Sequence, residues 1–580
     1  MSVREGTLPT EIPLSELELG LQQQPNEKSP LADNEEELDG VFSSSDDDDD
    51  FISDDDDDDD GEFRLLRWLD GLNRWFANLG ILLTPSFLQH LVGGSRPPEG
   101  KLHAIAALDG LRGWACLLVF NFHFLFAYTW IVGVGWGFNR SNYSPLQLPI
   151  IHMLISGHIM VSIFFVISGY VLSYKPLRTI RNGAFDETFT TLASSTFRRG
   201  LRLYIPSLVG ISIVFLAVRT GAYHFSHAVI SQGETIRGTN EQHPPLIRSV
   251  TEQLHDWIRT VATLLNPFTW DLYYNYYNPH LWTIPVEFRC SMVLFVLILA
   301  TSRLRVPFRM LLVGGFIWFC MRYGRWDVVL FISGMLMAEV DLINGTWEAK
   351  PQPPPPPSPV LSTSSTSSRS SSPSASSPQR DNRRRRSSIK ISNFTIFSFI
   401  PIPFKDKFRL YSPNWWIVMF VVGLYFGSSP NLGFKWTPGF SWLAKITPAT
   451  YPEPHRFPQT IGAVLIVLSI NHSRDIQKLF VNPLSQYLGK ISYAFYIVHG
   501  PILHGLGYCV MSFIWGFVGK EHTFSYCFGF LLGWLFCLPI ALWAADLFWR
   551  TVDLPSVSFA RWVESRVIVK SPALNGQNHR

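Results

Sequence analysis

The chain alternates long apolar runs with polar stretches from residue 113 onward. Ten runs read as helices, at roughly 113–132, 150–174, 203–218, 284–302, 308–321, 326–340, 414–428, 458–471, 488–512 and 525–549. Several reach the roughly 20 residues that a helix needs to cross a bilayer. The pattern therefore predicts an all-α, polytopic integral membrane protein with about ten transmembrane helices. Lys175, Arg178, Arg181, Arg198, Arg199 and Arg202 crowd the polar stretch 175–202, whereas 133–149 carries only Arg140. By the positive-inside rule both termini and the 175–202 stretch are cytosolic. The sequons at Asn139 and Asn142 then fall on the opposite side, where glycans are added.

Outside the apolar runs the composition changes abruptly. Residues 1–62 hold the aspartate runs Asp46–Asp50 and Asp54–Asp60 beside Ser43–Ser45, and read as a disordered acidic cytosolic tail. Residues 63–100 mix Arg, Trp and Leu at helical spacing, which suits an amphipathic segment lying in the membrane interface. Residues 341–411 carry a proline run, a serine run and Arg383–Arg386, and read as a disordered cytosolic insert that splits the membrane domain into 101–340 and 412–550. Residues 551–580 read as a cytosolic C-terminal tail. No cleaved leader is expected, because no charged start precedes an apolar stretch near Met1.

Of the 580 residues, 47% are hydrophobic and 16% charged, with 44 Phe and 20 Trp, a balance foreign to soluble proteins. The net charge of +2 conceals a basic membrane domain, since 18 of the 46 acidic residues lie within 33–62. The six cysteines stand singly in or beside apolar runs, without metal-binding spacing. No metal site, bound cofactor or nucleic-acid surface is expected, and nothing in the chain sets an oligomeric state.

One run departs from apolar uniformity. In LDGLRGWACLLVFNFHF, residues 108–124, Arg112 and His123 are eleven residues apart, so they share a helix face about 16 Å apart along the axis. Ionisable groups inside a membrane span are costly, so this stripe is a functional-site hypothesis. Asp109, three residues before Arg112, is placed to pair with it. Ser168 and Gly169 in FFVISGYVLS permit close helix approach. Arg199 and Arg202 stand at the mouth of the third run, suited to phosphates or to headgroup anchoring. Trp282 and Glu287 open the fourth run, near the opposite membrane face. His499 lies in the ninth run, where a hydrogen bond between helices is the simpler role.

The ordered set formed by Arg112 and His123, FFVISGYVLS, RRGLRLYIP, WTIPVEF, FISGMLMAE and SYAFYIVHGP resembles the acyltransferase 3 family of integral membrane O-acyltransferases, particularly its fungal branch. Cys290 stands where the fungal pattern has a small glycine. The resemblance implies transfer of an acyl group, commonly acetyl, from cytosolic acyl-CoA as co-substrate to a hydroxyl on a sugar, lipid or secondary metabolite. It makes His123 a general base or an acyl carrier, with Arg112, Arg199 and Arg202 gripping the CoA phosphates; Glu287 positions the acceptor, neutralises charge or serves as the structural partner of a buried arginine. The acceptor is expected to be read by the 220–283 loop, whose stretch Trp270–Trp282 either stacks on it or lines the interface. Either the secretory pathway or the plasma membrane suits such a chain. A proton-coupled transporter is the alternative, although no pair of broken helices marks corresponding halves. A scaffold would leave the polar stripe unexplained.

Overall fold

The computed structural model describes residues 79–91, 105–232, 236, 243–346 and 415–568. The expected acidic tail, the first and last parts of the interfacial segment, nearly all of the insert and residues 569–580 lie outside them. Residues 79–346 and 416–568 belong to one compact unit, so the runs before and after the insert build a common core. Unit two, 347–415, falls outside the described residues except for Trp415.

The unit is helical throughout, and among the described residues the only strand-like pairing is a bridge between Val134 and Leu432. Its longer helices are α1 (Ala106–Phe126), α2 (Gly157–Arg181), α3 (Phe185–Arg219), α4 (Val250–Leu264), α5 (Thr283–Thr301), α6 (Val306–Arg322), α7 (Trp326–Asn344), α8 (Trp415–Gly427), α9 (Arg456–His472), α10 (Pro483–Ile502), α11 (Tyr508–Val518), α12 (Thr523–Phe548) and α13 (Leu554–Val567), with shorter ones at His224–Gln232, Ser441–Ile446 and Arg474–Gln477. Their ends follow local chemistry. Pro483 opens α10 behind Asn482, whose side chain accepts from the Ser485 amide, and Gly345 closes α7 at φ 61°.

Among the described residues, five helical stretches are long and apolar enough to cross a membrane: Gly157–Arg181, Phe185–Arg219, Pro279–Thr301, Pro483–Val518 and Thr523–Val567. The expected count of about ten is therefore not reached by these criteria. Two causes are visible in the chain. Several apolar runs form helices of 13 to 17 residues, as in α6, α8 and α9. In α1, Asp109, Arg112, Asn121 and His123 dilute the hydropathy of a helix that is nonetheless largely buried.

α2 is the central helix, with α1, α3, α5, α7 and α9 packed around it. Its contact with α7 is backbone to backbone. A Cβ on Gly169 would lie 2.0 Å from the Phe331 carbonyl oxygen, and one on Gly334 would lie 2.2 Å from that of Val166. The close approach expected at Ser168–Gly169 is thus present, and Ser168 itself is buried there. Buried ions bind the far end of α7: Glu339 meets Arg309 at 2.7 Å and Arg181 at 3.4 Å, and Asp341 meets Tyr170 at 2.7 Å and His472 at 2.9 Å.

Of the interfacial segment, 79–91 docks on α12 and its continuation. Asp546 accepts from the Ser86 amide at 2.9 Å, while Leu83, Phe87 and Leu91 remain exposed. The chain does not become a tail at residue 551. It continues through a π-helical turn into α13, which packs on α3 with Arg198 and Glu564 3.2 Å apart. The apolar run 525–549 ends by composition, but the helix does not, because α13 gains a packing partner.

Candidate active site

α1 and α10 run side by side in the same direction and in register. Trp114 Nε1 donates to Ser485 Oγ at 2.8 Å, Arg112 Nη2 to Ser492 Oγ at 3.4 Å, and further along His123 lies beside His499. Glycine makes this possible, since a Cβ on Gly113 would stand 2.5 Å from the Gly489 amide nitrogen. The α1 stripe therefore faces α10. Asp109 also behaves as its spacing predicts, holding Arg112 Nη1 at 3.1 Å.

His123 meets a residue that the sequence did not single out. His280, in the short turn Pro279–Trp282 that leads into α5, brings its ring centroid to 4.0 Å from that of His123 and 4.6 Å from that of His499. All three imidazoles are buried. Each offers a nitrogen, and the three lie within 4.8 Å of one another, so the group can share protons among rings or hold a divalent ion, although no metal site was expected. The turn is pinned to α10: Asn278 Nδ2 donates to the Ile497 carbonyl at 2.9 Å, and Tyr496 Oη donates to the His280 carbonyl. Trp282, at the end of the turn, is fully buried against Tyr274.

Room for the His280 ring comes from Gly500, where a Cβ would lie 2.4 Å from His280 Nε2. Gly500→Ala is expected to displace that ring and lower turnover at least tenfold, with protein abundance close to wild type, because only a side-chain end is pushed aside. Activity per immunoblotted protein in membranes tests this, and unchanged turnover would show that the position of His280 does not matter.

The arginines converge deeper than expected. The sequence placed Arg199 at a membrane mouth and Glu287 near the opposite face, but the two side chains meet in a buried pair, and Arg199 Nε also donates to Ser291 Oγ at 3.1 Å. The physical reason is that α3 begins at Phe185, well before its apolar run, so Arg199 lies some 20 Å inside the helix. Arg202 and Arg112 are both charge neighbours of Asp553, a buried carboxylate in the turn before α13 that the sequence reading passed over. Tyr493 on α10 donates to the Leu203 carbonyl at 2.7 Å and has Asp553, Glu287 and Arg199 as charge neighbours. Arg112, Arg199, Arg202 and Glu287 thus share one largely buried polar region, about two to three helical turns from the imidazoles.

Two cavities open at opposite ends of this axis. At the Arg112 end, about 380 Å³ is lined by Tyr174, Lys175, Thr190, Ser194 and Arg198. At the His123 end, about 600 Å³ lies among the 431–455 loop and His158. The loop expected to read the acceptor, 220–283, delivers His280, and the guanidinium groups of Arg289 and Arg325 lie 4.9 and 4.3 Å from the centroid of its Trp270 ring. A proline-bounded histidine directly before an apolar run, and an aspartate at the end of one, were the only signals that pointed to His280 and Asp553.

Residues 105–351 match the acyltransferase 3 family model, described as an acyltransferase domain. The chain is 30% identical over 512 residues to the O-acetyltransferase PaAT-1 of Phomopsis amygdali, covering 86% of this chain and 90% of that protein. It is 26% identical to the acyltransferase R4 of a Phoma species (80% and 95% covered) and 24% identical to the acyltransferase clz18 of Cochliobolus lunatus (79% and 96% covered). No solved structure matches the chain significantly. With its polar axis of arginines and histidines inside an apolar helical body, and with relatives matched over nearly their whole length, the chain belongs to the acyltransferase 3 family and is an acyltransferase.

Proposed function

We propose that this protein transfers an acyl group, commonly acetyl, from acyl-CoA to the hydroxyl of a small acceptor, with His123 as the proton acceptor. The reading is carried by one observation: His123 meets His280 and His499 at the end of a buried axis whose other end holds three arginines. The acceptor oxygen forms the new C–O bond at the thioester carbonyl while His123 takes the hydroxyl proton. The C–S bond then breaks, and the proton passes to the departing sulfur to give free CoA.

The donor enters at the Arg112 end, which the lysine and arginine bias marks as cytosolic. Lys175 and Arg198 at the cavity there meet the phosphates, with Arg202 and Arg112 further in. The pantetheine arm follows the roughly 16 Å from Arg112 to His123. Glu287 acts through Arg199, whose buried guanidinium it holds together with Ser291. His280 and His499 position the His123 ring and share its proton.

Arg112→Lys is expected to raise the KM for acetyl-CoA about 10- to 100-fold, the equivalent of one charge-assisted hydrogen bond of roughly 1.5–3 kcal/mol, with a smaller change in kcat. Steady-state kinetics in membranes with labelled acetyl-CoA measures both. A raised KM for the acceptor with the donor KM unchanged would place the arginine on the wrong substrate.

A further inference from the structure

The larger cavity lies at the His123 end, and nothing in the donor half of the reaction uses it. It is built by the loop between α8 and α9 together with the first turn of α2. That loop is held to the 127–156 segment by the Val134–Leu432 bridge and by His152, whose ring faces the carbonyls of Val132 and Ser428 at 3.2 and 3.3 Å.

Its lining has two characters. One side is polar. The Asn431 amide meets His158 Nδ1, His455 Nε2 lies 3.3 Å from Glu453, and the His158 and His455 rings are edge-on with centroids 5.5 Å apart. Arg456 Nε donates to the same Glu453 carboxylate at 3.0 Å. Burial pushes the Glu453 carboxyl up, but Arg456 and His455 outweigh it and hold it below the usual carboxylate value. Burial likewise keeps His455 below the usual histidine value, so at neutral pH this side offers a matched ion pair and a neutral His455, and Lys435 adds a positive charge to the lining. The other side is apolar and stiff: Trp436 and Tyr451 stand beside prolines whose φ is fixed by their rings.

The floor of the cavity approaches the catalytic centre. Phe122 is edge-on to His158 at 5.3 Å and to His123 at 4.9 Å, so one aromatic ring links the cavity to the proton acceptor. A volume of about 600 Å³ falls in the range of sites that enclose a drug-sized molecule. It does not suit a polymer, which needs an open groove, or a two-chain lipid, whose chains lie in the bilayer.

We propose that this cavity is the acceptor site, and that it takes a compact, ring-containing alcohol that carries no positive charge. The apolar rings of the acceptor lie against Trp436, Tyr451 and the prolines. Its polar groups pair with Asn431, His158 and His455, and the reacting hydroxyl passes the Phe122 edge to His123. The assignment rests on the acyl-transfer reading above, since it supplies the hydroxyl that this reaction acylates.

The test uses membranes bearing the full-length protein and labelled acetyl-CoA. Three probe acceptors are offered: a panel of polycyclic alcohols, N-acetylglucosamine and dioleoylglycerol. Ala444→Trp and Ala449→Trp each place a bulky ring at a different residue that lines the cavity, so misfolding of one does not decide the outcome. The expected result is acetylation of polycyclic alcohols by the wild type, with their KM raised at least tenfold in whichever variant accumulates to wild-type abundance. Acetylation of the sugar or diacylglycerol instead, CoA release without any labelled polycyclic alcohol, or unchanged kinetics in both variants would overturn the assignment. Absence of CoA release from the wild type with any acceptor would overturn the acyl-transfer reading itself, and this inference with it.

Discussion

His123→Ala is expected to lower acyl transfer by about two to four orders of magnitude, the usual range for removing a positioned general base. The ring it deletes is 7% exposed and touches His280, His499 and Phe126. Its removal leaves two imidazoles in place and no buried charge unpaired, so the protein should accumulate and extract as the wild type does. His280→Ala and His499→Ala should cost less, because both act through the orientation and proton of His123. Labelled acetyl transfer per immunoblotted protein ranks the three. Equal losses from all three would point to the other use of this geometry, a divalent ion held by the three nitrogens. Elemental analysis of purified protein separates the two: about one metal per chain, lost in His280→Ala, would replace the proton-sharing reading, whereas none would support it. If the chain works through an acyl-histidine, rapid acid quench of enzyme with labelled acetyl-CoA alone should leave label on wild type and none on His123→Ala.

Gly169→Val is expected to prevent the folded protein from accumulating. A Cβ at this position would lie 2.0 Å from the Phe331 carbonyl oxygen and 2.7 Å from its carbonyl carbon, atoms that no side-chain rotation can move. α2 and α7 would have to separate along their whole contact, and Gly334, facing Val166 and Tyr170 in the same seam, would lose its fit as well. Overpacking in a tight core costs about 1–3 kcal/mol where side chains can yield. Here the backbone must move, so the cost should exceed that range. Gly314→Val on α6 is the control, because nothing lies within 4 Å of a Cβ there and neighbouring Leu311 and Trp318 are exposed. Membrane abundance and a monodisperse peak in mild detergent report the outcome. Equal accumulation of both variants would show that the α2–α7 seam is not closed in the membrane.

Each of these expectations combines something periodic in the chain with something that only packing supplies. The all-helical class, the shared face of Arg112 and His123, the Asp109–Arg112 pair and the small-residue seam at Gly169 were legible because each depends on a spacing of at most three turns within one helix. Backbone geometry alone determines such relations. The motifs that carry the family resemblance were legible for the same local reason, since each is a short stretch of one chain segment.

What lies between segments was not legible. His280 reaches His123 across 157 positions of sequence, through a turn pinned by Asn278 and Tyr496 and admitted by Gly500. Arg199 meets Glu287 where α3 crosses α5, and Asp553, in the turn before α13, becomes a charge neighbour of Arg202 on α3 and Arg112 on α1. The cavity proposed for the acceptor is lined by the 431–455 loop, which the sequence reading did not single out. Only five helical stretches among the described residues meet the length and apolarity of a span, since helix length is set by packing partners as well as by composition. The sequence by itself determined which side chains each helix presents and at what height along its axis. Tertiary structure alone decided which presented groups meet, because burial rewards any close-packed apolar contact, and no local period encodes which distant partner fills the remaining space.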